Sequence, residues 1–181
     1  MVSCASWYSI RKFVESSRAS LTSKLGEVQE DLTVSKEARD QYNEILLASR
    51  EVYESLSRES KGSPGNTVLE SKYREALSSK LSSLGYTAQQ EVNMRCKNEK
   101  SGIVRIDILL RKGNERSILE LKRARGNQGY EQLARYLLGS SEEVGYLIYF
   151  GKRGVRMSQL IKEDSGIYLY DGSELKKMEI S

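Results

Sequence analysis

The sequence predicts an α/β domain, a mixed sheet flanked by helices, with an N-terminal helical arm or hairpin in front of it. Three observations carry this. Apolar residues recur at helical spacing through the first third of the chain, and again after residues 67 and 128. Short runs dense in β-branched and aliphatic residues lie between and beyond those stretches. The only proline, Pro64, stands between Gly62 and Gly65, where the two regions meet.

From Phe13 to Leu56 the apolar positions include Leu21, Leu25, Val28 and Leu32, then Tyr42, Ile45, Val52 and Leu56. This is one long helix or a helical hairpin. Gly26 and the stretch 31–35 are where it would break, with Thr33 or Ser35 as cap of a second helix. The remaining faces are charged and serine-rich, so the stripe must bury itself against the main domain or a second copy of the chain. The expected organisation is an arm over residues 1–61 for packing or homodimerisation, a linker over 62–66 and a main domain over 67–181.

After the linker, Val68, Leu69, Tyr73, Leu77, Leu81 and Leu84 predict a helix that stops at Gly85. Strands are expected over 86–92, 103–111 and 117–122, the last two joined as an antiparallel hairpin by the turn 112–116. A helix over 129–139 follows, then the almost wholly apolar strand Val144 to Phe150, covered on both faces. A helix around Val155 to Lys162 and a closing strand Ile167 to Tyr170 complete the domain.

Composition narrows the chemistry. The 181 residues contain no histidine, which excludes imidazole bases, Ser-His-Asp and Cys-His catalysis, and histidine-ligated metals. Cys4 and Cys96 make neither a zinc ribbon nor a disulfide framework, so an intracellular setting is expected, cytoplasmic or nuclear. The basic, serine-rich first 25 residues also loosely match a mitochondrial transit peptide, for which a folded helix is the competing reading. No apolar run is long enough to span a bilayer, so no membrane partner is expected.

The net charge of +4 is local: residues 95–125 carry ten basic residues against four acidic ones, while the rest of the chain is slightly acidic. Such a segment is the electrostatic footprint of a polyanion binder, and Arg95, Lys97, Arg105, Arg123 and Arg125 are the candidate contacts. Within it, period-2 alternation places Arg105, Asp107 and Leu109 on one face of a strand, and Ile118, Glu120 and Lys122 on one face of the next. A short hairpin can then bring two carboxylates and an ammonium together. One or two carboxylates with a substrate phosphate suit a hard divalent cation such as Mg²⁺.

These residues resemble a family. Asp107, then Glu120-x-Lys122, preceded by a helical acid at Glu70 and followed by a helix carrying Gln132, are similar to the PD-(D/E)XK nuclease superfamily, and within it to the GxxExxY-type branch. The resemblance runs over about residues 66 to 162, through Leu69-Glu70-Ser71-Lys72-Tyr73, Ile106-Asp107-Ile108, Leu119-Glu120-Leu121-Lys122, Glu131-Gln132-Leu133 and Gly145-Tyr146-Leu147. Thr67 stands where the branch name has glycine, and Ile106 where the superfamily name has proline. Neither change removes a ligand.

The resemblance implies a restriction-endonuclease-like fold and a nuclease acting on DNA, less readily on RNA. Asp107, Glu120, the carbonyl of Leu121 and Glu70 would hold Mg²⁺ or Mn²⁺, Lys122 would serve the attacking water, and Gln132 would contact substrate or order the site. Thr67-x-x-Glu70 also has the form of a capping box, a purely structural use of Glu70. Two other functions compete: a non-cleaving nucleic-acid-binding module of the same fold, and an assembly protein acting through the helical arm.

Overall fold

A computed structural model of the chain describes residues 34–60, 68–97, 100–123 and 128–180. Helix α1 (Lys36–Glu59) follows the expected break near Ser35 and buries Tyr42, Ile45, Ala48, Ser49 and Val52 along one stripe. That stripe is not free for a partner. It packs on helix α2 (Glu70–Ser83) and strand β5 (Gly154–Glu163), and the hydroxyls of Tyr42 and Tyr53 donate to the carbonyls of Met157 and Gly151 at 2.7 and 2.6 Å.

The compact unit therefore begins at Lys36 rather than after the linker, because Tyr42, Ile45 and Val52 need the sheet side to leave water. The remainder of the expected arm, its proposed dimerisation and the linker 62–66 lie outside the described residues. Helix α2 starts at Glu70 itself, with Leu69 as N-cap and no side-chain cap bond, so the capping-box reading of Glu70 does not hold. Its buried face is Tyr73, Leu77 and Leu81, and Gly85, at φ +89°, turns the chain into the sheet.

The sheet comprises β1 (Thr87–Arg95), β2 (Ile103–Lys112), β3 (Glu115–Lys122), β4 (Val144–Gly151), β5, β6 (Gly166–Tyr170) and β7 (Leu175–Lys177), each beside its neighbours in sequence. All pairs are antiparallel except β3 with β4, which run parallel and are joined through helix α3 (Gln128–Gly139). Parallel neighbours require such a crossover. The segment expected as a helix over 155–162 is strand β5, fully paired along β4 from Gly151↔Gly154 to Val144↔Ile161.

Two apolar layers cover the sheet. Tyr73 of α2 stacks on Phe150 with ring centroids 4.4 Å apart and donates its hydroxyl to the carbonyl of Ser49 in α1. On the other layer Leu133, Ala134 and Leu137 of α3 pack with Leu109, Ile118, Leu147 and Leu160. Helix α3 lies close because two glycines leave room. A Cβ on Gly129 would stand 2.9 Å from Tyr149 Oη, and one on Gly145 would stand 2.8 Å from Leu133 Cδ1.

Strict alternation along β2 fails at one place. Val104 and Ile106 share the α3 layer with Leu109, an odd separation, so the strand changes phase between them at Asp107. Across β1, Gln90 pairs with Ile108 and Val92 with Ile106, leaving Glu91 opposite Asp107 at φ +52°. Local breaks of this kind bend a strand and re-aim its side chains.

Candidate active site

The pairs of β2 with β3 run from Lys112↔Glu115 to Ile108↔Leu119, and the next pair in that register would be Asp107 with Glu120. Instead the ladder ends there. Asp107 Oδ2 accepts the backbone N–H of Leu121 at 2.8 Å, and its Oδ1 lies 3.4 Å from Arg74 Nη1 of α2. Arg74 Nη2 reaches Glu91 Oε1 at 2.7 Å, and Arg105 reaches the same oxygen at 2.5 Å.

Glu120 is 3% exposed, with Lys122 Nζ 3.4 Å from its Oε2. Its Oε1 is buried with no hydrogen-bond partner among the described residues. Burial above all, and then the charge of Asp107, push its carboxyl up to about 7 against the opposing pull of Lys122. A buried carboxylate with a bare oxygen beside a second carboxylate is a costly arrangement for a protein at rest. Perturbed acids in such settings concentrate at functional sites.

A family model described as the PD-(D/E)XK nuclease superfamily matches residues 40–162, more than half of the chain. The chain belongs to the PD-(D/E)XK nuclease superfamily. The match takes in most of α1, in keeping with that helix lying inside the packed unit. A solved structure described as the crystal structure of SSO0001 is similar at 22% identity and a TM-score of 0.37, covering 64% of this chain. The match spans 62% of that protein's length. No curated protein matches.

Of the expected nuclease residues, the structure brings together Asp107, Glu120, Lys122 and, through its backbone N–H, Leu121. Glu70 does not join them: no group of three metal-ligating side chains exists among the described residues. The α2 side chain that reaches Asp107 is Arg74, one turn further along. Gln132 donates to Tyr136 Oη at 2.5 Å, within α3 itself. Arg74 is the site residue that sequence reasoning missed, and its one signal was the i, i+4 relation to Glu70.

The basic segment of this nuclease-family domain does not form one surface. Arg95 and Lys97 line a cavity beside the C-terminal end of α3, with Gly139, Ser140 and the buried Glu142. Arg105 is engaged by Glu91, and Arg125 lies outside the described residues. Arg123 alone of the five stays next to Lys122 with no ion-pair partner among the described residues, and there it lines a recess with Lys152, Arg153 and Arg156. Among the described residues no helix is long and apolar enough to cross a membrane.

Proposed function

We propose that this superfamily member hydrolyses phosphodiester bonds of nucleic acid, DNA before RNA, using Mg²⁺ or Mn²⁺ held by Asp107 and Glu120. The observation that carries the reading is the unpartnered Oε1 of Glu120, buried beside Asp107 and Lys122. Those donors fit a hard divalent cation, which takes oxygen ligands and completes its shell with water and substrate phosphate. When bound, the ion supplies charge neutralisation at the phosphate and makes water more acidic.

The chain's own groups do the rest. The Leu121 N–H and Arg74 hold the two oxygens of Asp107 in fixed positions, so its rotamer is set before substrate arrives. Lys122, two residues beyond Glu120 on the same strand, orients the attacking water in this reading and exchanges a proton with it at Nζ. Glu70, at the start of α2, is read as an outer residue acting on the shell through water, and Gln132 as a substrate contact reached when its bond to Tyr136 opens.

The test is to incubate plasmid, linear duplex, single-stranded and branched DNA, and RNA, with Mg²⁺, Mn²⁺ or chelator, alongside Asp107→Ala and Lys122→Ala. Metal-dependent cutting lost in both variants is expected. Binding that survives in all three proteins with no cutting under any metal would instead make the chain a non-cleaving module.

A further inference from the structure

Lys122 pairs with Tyr149, and Tyr149 with Arg156, so the three occupy one row across β3, β4 and β5. Partners in a row share a face, and two strand spacings put Lys122 and Arg156 about 10 Å apart. Immediately beyond lies the β4–β5 turn with exposed Lys152 and Arg153. None of Arg123, Lys152, Arg153 and Arg156 has an ion-pair partner among the described residues. Four cations gathered without a carboxylate between them form a site for a polyanion supplied from outside.

This strip opens into a groove of about 830 Å³, to which Tyr149 and Arg156 both contribute. Tyr130 stands 5.9 Å from Tyr149 between ring centroids and is fixed by a hydrogen bond between its hydroxyl and Ser158 at 3.1 Å. Leu46 and Met157 extend the apolar lining. Asp171, also in the lining, is acidic but already accepts from Ser173, so its part of the groove offers hydrogen-bonding edges and repels phosphate. A cationic strip along one border and an aromatic, apolar floor inside is the division of labour by which proteins bind unpaired strands. Bases within a duplex are stacked on one another and cannot enter such a groove.

We propose that this groove seats unpaired bases of the substrate, with the backbone tracked from Lys122 by Arg123, Arg156, Lys152 and Arg153, so that the substrate class is nucleic acid with a single-stranded segment. The proposal rests on nucleic acid being the substrate of the neighbouring carboxylate site. It assigns a task to the β4–β5 turn, which lies outside the basic segment 95–125.

Binding is measured in chelator, with no cleavage, by anisotropy of a short labelled oligonucleotide offered single-stranded or as blunt duplex. The expected result is tighter binding of the single strand. The exposed-turn double variant Lys152→Ala/Arg153→Ala should weaken it about tenfold and flatten the salt dependence. Tyr130→Leu should weaken it about five- to tenfold with the salt dependence kept. Photo-crosslinking from iodouracil should label the Tyr130 segment in the wild-type chain. Equal affinity for duplex and single strand, or unchanged affinity in the turn variant, overturns the proposal. Cleavage of the same strands with Mg²⁺ or Mn²⁺ is read separately. A chain that binds through the groove but never cuts upholds the groove and sinks the nuclease reading, while one that cuts but ignores both variants does the reverse.

Discussion

Asp107 takes the backbone N–H of Leu121 into its carboxylate at 2.8 Å, the bond that ties β2 to β3 at the point where their ladder ends. One oxygen is thereby spent on the scaffold and the other faces Arg74. Asp107→Asn keeps the shape but replaces a carboxylate oxygen by an amide donor. Metal-dependent cleavage is expected to fall by at least about a hundredfold, while Lys122→Met costs about 10²–10⁴-fold through loss of proton transfer. Circular dichroism should show both variants folded, and a chain that cuts normally with either change would remove the carboxylates or the ammonium from the mechanism.

Glu120 makes metal-free stability depend on pH. Its folded-state carboxyl titrates at about 7 against an ordinary 4.5, so the folded chain holds this proton more tightly than the unfolded one. The contribution is complete below pH 4.5 and is lost as pH rises through about 7, on the order of 3 kcal/mol across that window. Glu120→Gln should flatten this dependence and stabilise the chelated protein at pH 8 in urea titrations. A variant whose stability tracks the wild type at every pH would show that the acid is not held protonated.

Gly145 lets α3 sit close to β4. An added Cβ would meet Leu133 Cδ1 at 2.8 Å and its Cγ at 3.0 Å, and Leu133 is fully buried with nowhere to retreat. Gly145→Ala should therefore destabilise the fold by about 1–3 kcal/mol, measured by denaturant midpoint. An unchanged midpoint would mean that the helix yields freely.

Glu91 adopts φ +52°, a left-handed backbone that costs a side-chain-bearing residue roughly 1 kcal/mol or more. Glu91→Gly and Glu91→Ala both forfeit the contacts with Arg74 and Arg105, but glycine should be the more stable of the two by about 1 kcal/mol. Equal stabilities of the two variants would rule out backbone strain at this point of β1, opposite Asp107.

The grouping of Asp107, Glu120 and Lys122 in the candidate site was legible because they lie on adjoining strands of a short hairpin, where spacing alone fixes the neighbourhood. Strand β5 was not legible. Arg156, Met157, Gln159, Leu160 and Lys162 are all good helix formers, and what overrides them is pairing along the whole of β4. Arg74 was missed since its i, i+4 relation to Glu70 is common on charged helices and does not single it out until Asp107 is seen to face it. The basic stretch misled for a related reason: Arg105 is taken up by Glu91 while Arg95 and Lys97 line a separate cavity, and spacing along the chain reveals neither. Lys152, Arg153 and Arg156 were passed over because the acids around them dilute their charge along the chain.

The order β1 to β7 follows the chain without a single strand out of turn, and only the α3 crossover separates a first meander from a second. Asp107, Glu120 and Lys122 belong to the first, whereas the aromatic groove and its cationic border draw mainly on the second. On the proposed reading, bond-breaking and strand choice therefore draw on largely different stretches of the gene. On that reading, substitutions in the β4–β5 turn retune which strands are accepted and leave Asp107, Glu120 and Lys122 in place, whereas exchanging the whole groove between relatives means moving α1 residues and Tyr130 together with those after 144.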